Sequence, residues 1–138
     1  MKIVLDTNCL LPAVFPLSMY RWIWDSFRHG MFTLCYTNEI IAEYEELLSK
    51  LYPPEITENT MLLLLNSPNV EKTIPYFKWD LITADPDDNK FVDCVLNSGA
   101  DYLVTNDKHF NVLKPIDFPP IKVIDIETFK KLIVSEVG

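Results

Sequence analysis

Short apolar runs alternate with longer amphipathic stretches along the whole chain. Runs typical of buried strands lie at residues 3–5, 32–36, 70–74, 102–105 and 121–124. Patterns with the 3.6-residue period predict helices at residues 19–28, 38–51, 56–65, 87–97 and 127–134. Strands that alternate with helices indicate βαβ units, so we expect an α/β fold with a mostly parallel sheet and right-handed crossovers.

Residues at the ends of these elements favour particular starts, stops and turns. Thr37 is suited to cap the helix that follows it, and Pro86 is suited to begin a helix. Gly99 is suited to end that helix. Residues 6–8 directly follow the first strand and are predicted to form a turn, and Pro119 lies in a predicted loop before the last strand.

The predicted helix at residues 19–28, with Ser18 as its cap, is rich in aromatic residues, including Trp22 and Trp24. Its apolar side chains cover more than one face of the helix. Packing into the core of one molecule is one interpretation. A subunit interface is the other, because exposed aromatic residues commonly mark such surfaces. The second interpretation would make the protein a homodimer.

Two acidic residues directly follow predicted strands. Asp6 follows the first strand and Asp107 follows the strand at residues 102–105. In an open parallel sheet, ligands bind beyond the carboxyl ends of the strands, near the point where the strand order reverses. Turn or helix-cap duty is the alternative for each acid. Carboxylates gathered at one edge repel one another, so a cluster there implies either protonation or a bound divalent cation.

The two long predicted helices also carry acids. Apolar residues lie three, four and seven positions after Asp88, which places Asp88 on the buried stripe of its helix, with helix capping as the alternative. Asp93 falls about 140° away on the same helix and is expected to be an ordinary solvated residue. In the helix at residues 38–51, Glu43 and Glu45 flank opposite sides of the apolar stripe. Periodicity does not choose between them.

Composition narrows the class of protein. A chain of 138 residues that is 49% hydrophobic fits one domain with a normal core. No apolar run approaches the ~20 residues of a membrane helix, so we expect neither a signal peptide nor a membrane anchor. Three widely spaced cysteines predict buried free thiols in a reducing cytoplasm. The net charge of −8 argues against a broad basic surface for nucleic acid, and it favours a basic protein partner.

Four segments of the chain, residues 3–8, 37–44, 85–91 and 99–107, carry a family resemblance. In their order and spacing, the chain resembles the PIN-domain family. It looks most like the bacterial and archaeal branch that includes toxin ribonucleases of VapC type. The resemblance implies a single domain over residues 1–138, folded as a three-layer α/β/α sandwich around a mostly parallel sheet of four or five strands.

The resemblance also implies a site. It implies that a Mg²⁺ or Mn²⁺ ion is bound by an acidic quartet, Asp6, Glu43, Asp88 and Asp107, and so selects Glu43 over Glu45. A further acid is often found in that branch at the position of Asp93, which becomes an auxiliary candidate. Asn8 and Thr105 match polar positions that support the site. Lys90, Lys108 and His109 flank it and are candidates for contact with phosphate groups.

Three functions compete at this stage. The leading one is a metal-dependent endoribonuclease, the toxin of a toxin–antitoxin pair, with RNA as substrate and a small basic antitoxin as partner. The second is a catalytically inactive PIN-like module that docks a basic protein. A phosphatase of the haloacid dehalogenase type is disfavoured, because such enzymes carry a second Asp two residues after the first, where this chain has Asn8.

Overall fold

Five short parallel strands form the centre of the molecule. A computed structural model describes residues 1–82, 86–116 and 120–137. The strands are β1 (Lys2–Leu5), β2 (Thr33–Tyr36), β3 (Val70–Lys72), β4 (Tyr102–Val104) and β5 (Val123–Ile124). They lie in the order β3-β2-β1-β4-β5, and every neighbouring pair is parallel. The predicted α/β class and parallel sheet are confirmed.

Helices cover both faces of this sheet, which gives the expected three-layer sandwich. They are α1 (Thr7–Ala13), α2 (Arg21–Arg28), α3 (Asn38–Leu51), α4 (Pro54–Leu65), α5 (Asn89–Ser98) and α6 (Ile126–Val137). The connections contain two 3-10 helices. Pro86–Asp88 directly precedes α5, and Lys108–Leu113 lies between β4 and β5. Among the described residues, no helix is long and apolar enough to cross a membrane.

The strand order fixes where a site can form. The chain runs from β1 outwards to β2 and β3, and then returns across the sheet to β4 and β5. The order therefore reverses between β1 and β4, where a crevice opens beyond the carboxyl ends of the strands. Leu5 pairs with Val104 in register, and the backbone N–H of Asp6 donates to the Val104 carbonyl at 3.0 Å. Asp6 and Thr105 therefore leave the sheet side by side.

Burial explains the unbroken apolar run at residues 3–5 of β1. Ile3, Val4 and Leu5 are all buried, because both faces of this central strand are covered. Tyr44 of α3 and Phe91 of α5 are also fully buried, and α5 packs across β1, β2 and β4. The core therefore sits directly beneath the carboxyl edge of the sheet.

Helix α1 is the main element that the sequence analysis missed. The predicted turn at residues 6–8 is instead the start of a helix, with Asp6 as its N-cap. Asp, Thr and Asn favour turns and helix starts alike. The helix prevails because Cys9, Leu10 and Ala13 bury one face.

Other boundaries moved by a few residues. Ser18 caps a local turn, in which its Oγ accepts from the Tyr20 N–H at 3.0 Å, and α2 begins only at Arg21. Helix α4 begins at Pro54, before the predicted residue 56, because proline is well suited to the first helical position. Thr37 caps α3 and Gly99 ends α5, as predicted. Residues 83–85, 117–119 and 138 lie outside the described part of the chain, so the predictions for Asp85 and Pro119 do as well.

The aromatic side chains of α2 pack within the molecule. Trp24 and Phe27 are buried. The Trp22 ring lies 5.6 Å from the Phe129 ring of α6, measured between centroids. These contacts agree with the interpretation that this helix packs into the core of one molecule. The homodimer stays a prediction, without support from these two tryptophans.

Candidate metal centre

Asp6 is the innermost acid of the site. Only 4% of the residue is exposed. Its Oδ2 accepts a hydrogen bond from the Thr105 hydroxyl at 2.8 Å, and its Oδ1 accepts from the Asn8 backbone N–H at 3.5 Å. Burial raises the pKa of the Asp6 carboxyl, these two hydrogen bonds lower it, and the charges of Asp107 and Glu43 raise it further. Asp6 is therefore close enough to both Asp107 and Glu43 to be repelled by each of them.

Thr105 connects the two strand-end acids. Its hydroxyl donates to Asp6 and accepts from the Asp107 backbone N–H at 2.9 Å. Asp107 is also the N-cap of the following 3-10 helix, where its Oδ1 accepts from the His109 N–H at 2.9 Å. The capping alternative raised for Asp107 is therefore real, and it coexists with a place in the cluster.

Asp88 enters the crevice from the start of α5. It occupies the N-cap position, but its side chain makes no capping hydrogen bond to that helix. Its Oδ2 lies 3.5 Å from Nδ1 of His109, and the same nitrogen lies 3.5 Å from Oδ1 of Asp107. One donor atom from each of these three side chains lies within 4.8 Å of the other two. The cluster thus contains a nitrogen as well as carboxylate oxygens.

Glu43 reaches the site with two partners. The Thr7 hydroxyl donates to its Oε2, and the Lys90 ammonium lies 2.9 Å from its Oε1. The side chains of Lys90 and Glu43 are only 15% and 25% exposed, so this ion pair is largely shielded from water. Burial lowers the pKa of Lys90, but the hydrogen bond and charge of Glu43 outweigh it and raise the pKa overall. Glu45 is exposed beside the groove between α3 and α4.

Asp93 is not brought together with these acids. It is buried, which makes the expectation of a solvated residue wrong, and its Oδ1 accepts from the Trp79 backbone N–H at 3.0 Å. Asn89 and Asn97, four residues to either side on α5, likewise bond to the backbone of residues 76–82. The three side chains form one face that holds this segment against the helix. The role of Asp93 as an auxiliary metal ligand stays a prediction.

The remaining predicted residues lie around the crevice. Asn8 is exposed, and the contact that it makes to Asp6 comes from its backbone N–H. Lys108 is exposed next to Asp107, whereas Lys90 is already paired with Glu43. Sequence reasoning missed Thr7. A Thr that follows a strand-end Asp is a common turn residue, so its contact with Glu43 left no signal in the sequence.

Cys9 lies close beneath Asp6. All three cysteines are buried and free, as predicted. Burial, with a contribution from the Asp6 charge, raises the pKa of the Cys9 thiol to about 12. Since the thiolate is the reactive form, we expect Cys9 to resist oxidation and alkylation in the folded protein.

The donor set fits a divalent cation. Carboxylate oxygens of Asp88 and Asp107 lie close together, and Asp6 is near enough to Asp107 to feel its charge. Hard oxygen ligands of this kind suit Mg²⁺ and Mn²⁺. A cation there would offset the mutual repulsion that raises the pKa of Asp6. Asp6, Asp88 and Asp107 would be the candidates to hold it, while Glu43 is paired with Lys90.

Comparison with known proteins supports the predicted family and fold. The sequence profile of the PIN domain matches residues 2–109. The fold is similar to that of a chain in the crystal structure of VapBC2 from Rickettsia felis bound to a DNA fragment from their promoter. The TM-score is 0.62 at 17% identity, and the match covers 91% of this chain and 98% of that one. No curated protein matches the sequence significantly.

Proposed function

The chain belongs to the PIN-domain family, and from this premise we propose that it is a metal-dependent endoribonuclease that hydrolyses phosphodiester bonds in RNA. One observation carries the proposal. Acids from four separate segments of the chain, Asp6, Glu43, Asp88 and Asp107, gather at the reversal point of a parallel sheet, which is where such folds bind ligands. Residues 1–138 form the single nuclease domain.

The acids would hold Mg²⁺ or Mn²⁺. When bound, the ion would activate a water molecule, polarise the scissile phosphate and offset charge on the leaving oxygen. Asp6, Asp88 and Asp107 provide the oxygen ligands. Thr105 fixes the orientation of the Asp6 carboxylate through its hydrogen bond.

Other side chains act on the water and the substrate. Glu43 is held in place by Thr7 and Lys90, so its carboxylate is oriented to accept a proton from an attacking water. Lys108 is exposed at the rim and is placed to contact a phosphate group of the RNA. Lys90 is placed to do the same only if its ion pair with Glu43 opens.

A role as a toxin follows from the same premise. The similar fold in Rickettsia felis comes from a protein named VapBC2. We assign this chain to the toxin half of a toxin–antitoxin pair in the cytoplasm, with a small basic antitoxin as its inhibitor. The net charge of −8 and the acidic crevice would attract such a partner, whose Arg side chain would enter among the carboxylates.

The test is cleavage of a mixture of structured and single-stranded RNA in the presence of Mg²⁺, Mn²⁺ or EDTA. We expect cleavage with a divalent ion and none with EDTA. Asp6→Asn and Asp88→Asn should each lower the rate by at least about a hundredfold, the size of effect typical of a lost electrostatic or metal contact. Glu43→Gln and Glu45→Gln form a matched pair on one helix, and only the first should slow cleavage.

The opposite result has a clear meaning. If no RNA is cleaved with any metal, and calorimetry detects no Mn²⁺ binding, the nuclease proposal fails. The docking module for a basic protein would then be the better account. The antitoxin proposal has its own test. The protein encoded beside this one should form a stable complex with it and abolish cleavage, and a fully active complex would contradict the toxin role.

A further inference from the structure

His109 brings a ring nitrogen to the cluster that Asp88 and Asp107 form. Its Nδ1 lies 3.5 Å from a carboxylate oxygen of Asp88 and 3.5 Å from one of Asp107. We propose that His109 is a third protein ligand, with Asp88 and Asp107, of the divalent ion. As a result, the site would prefer Mn²⁺ to Mg²⁺. This inference rests on the proposed function, because it requires that the acids bind a cation.

The distances between donor atoms carry the argument. A nitrogen and an oxygen that share a hydrogen bond normally lie about 2.7–3.2 Å apart. Both separations here are 3.5 Å, which is longer. Mg²⁺ and Mn²⁺ prefer octahedral coordination, in which two neighbouring ligands at about 2.1 Å from one ion lie about 3.0 Å apart. A movement of about 0.5 Å would therefore bring the imidazole nitrogen to the separation that joint coordination with both carboxylates requires.

The local backbone holds the imidazole in this position. The His109 N–H donates to Asp107 Oδ1 at 2.9 Å, so residues 107–109 form a tight turn that brings the His109 ring back over the carboxylate. The side chain of His109 is 50% exposed, so the proton on Nε2 would be free to contact water while Nδ1 faces the acids. That tautomer is the one a metal needs at Nδ1.

The ion preference follows from the nature of the ligands. Mg²⁺ prefers oxygen ligands and retains water, whereas imidazole binds first-row transition ions more strongly. A site of carboxylates alone would discriminate little between Mg²⁺ and Mn²⁺. One imidazole ligand would shift the preference towards Mn²⁺.

A competing account makes His109 a protonated partner of the two carboxylates. In that case the imidazolium would compete with the metal for the same oxygens. The two accounts predict opposite signs: removal of the ring weakens Mn²⁺ binding if His109 is a ligand, and leaves it unchanged or strengthens it if His109 is a counterion.

The test is calorimetric titration of the whole chain with Mn²⁺ and with Mg²⁺. We expect His109→Gln to weaken Mn²⁺ binding by at least about tenfold while Mg²⁺ affinity changes by less than about threefold. The chain has only two histidines, which makes His29→Gln a matched control. The Nδ1 atom of His29 lies 2.7 Å from the backbone carbonyl oxygen of Asp25, and the control should bind both ions like the native protein.

A second readout needs no variant. In native protein labelled with ¹⁵N, Zn²⁺ should move the Nδ1 resonance of His109 and leave that of His29 in place. An unmoved His109 resonance would overturn the inference, as would unchanged or tighter Mn²⁺ binding by His109→Gln. Equal weakening of Mg²⁺ and Mn²⁺ would also overturn it.

The failure of this inference is distinguishable from the failure of the proposed function. If Asp88→Asn abolishes Mn²⁺ binding and His109→Gln does not, the metal site stands and only the nitrogen ligand is wrong. If the native protein binds neither ion, both are wrong.

Discussion

Thr105→Val removes the hydroxyl that joins the two strand-end acids and keeps the shape of the side chain. Thr105 is 3% exposed, and its hydroxyl makes two hydrogen bonds, one to the buried Asp6 carboxylate and one from the Asp107 N–H. A hydrogen bond to a charged group contributes about 1.5–3 kcal/mol, and a neutral one about 1 kcal/mol. We therefore expect the free energy of unfolding at neutral pH to fall by about 2–4 kcal/mol.

The loss should depend on pH. Burial raises the pKa of Asp6 above its unfolded value, so the folded state holds this proton more tightly than the unfolded state. The stability that this provides is present below the unfolded pKa of about 3.9 and is lost as the pH rises through the folded pKa. The Thr105 hydroxyl lowers that pKa, so its removal raises the pKa further. The variant should accordingly lose more stability above the folded pKa of Asp6 than below it.

Urea unfolding followed by tryptophan fluorescence, in EDTA at pH 7.5 and at pH 4.5, measures both effects. Thr57→Val is a matched control. Thr57 is 4% exposed, and its hydroxyl makes no hydrogen bond within the described part of the chain. That substitution should be neutral or slightly stabilising. If the two variants lose the same free energy, or if Thr105→Val changes it by less than about 0.5 kcal/mol, the Thr105 bridge does not stabilise the site.

Three further predictions concern other contacts. Lys90→Met breaks the shielded pair with Glu43 and should lower the free energy of unfolding by about 1–2 kcal/mol in urea titrations. Asn97→Ala removes the hydrogen bonds that hold the backbone at Phe77, which is 70% exposed, so chymotrypsin should cut there several-fold faster. Because the pKa of Cys9 is raised to about 12, thiol reagents at pH 8 should modify it only after unfolding in urea.

Each of these has a control or a contrary outcome. Lys50→Met breaks an exposed pair with Glu46 and should leave stability nearly unchanged, so equal losses would refute the argument from shielding. Asn66→Ala removes a side-chain hydrogen bond to the end of its own helix, α4. If chymotrypsin also cuts that variant faster, the hydrogen bonds of Asn97 have no special role in protecting the backbone at Phe77. Rapid modification of native Cys9 would show that it is not buried in solution.

Local signals explain most of what the sequence predicted about the fold. The apolar run of β1 marked a central strand because both faces of that strand are covered. Thr37 marked the start of α3, and Gly99 marked the end of α5, where it adopts a left-handed conformation with φ of 70°. Helix α1 was missed because Asp6-Thr7-Asn8 suits a turn equally well. Only the burial of the following residues, a property of the whole fold, decides between the two.

The sequence predicted where site residues lie in the fold, but not which side chains they contact. Acids at the carboxyl ends of parallel strands lie at the same edge of the sheet, so Asp6 and Asp107 could be placed at that edge from the sequence. Glu43 contacts Thr7 and Lys90, which lie on other elements. These contacts depend on how α1, α3 and α5 pack. No local sequence pattern indicates such a contact. For the same reason, the helical wheel did not distinguish Glu43 from Glu45.

The structure also revises the premise from which the site was first inferred. Clustered carboxylates were expected to need protonation or a cation, and the folded chain adds contacts of its own to each acid. Thr105 donates to Asp6, Lys90 pairs with Glu43, and His109 lies between Asp88 and Asp107. Each acid is thus oriented by the protein itself, so cation binding would require little rearrangement of the ligands. The positions of the acids are therefore set by separate partners within the protein, which is why the cluster alone does not identify the ion.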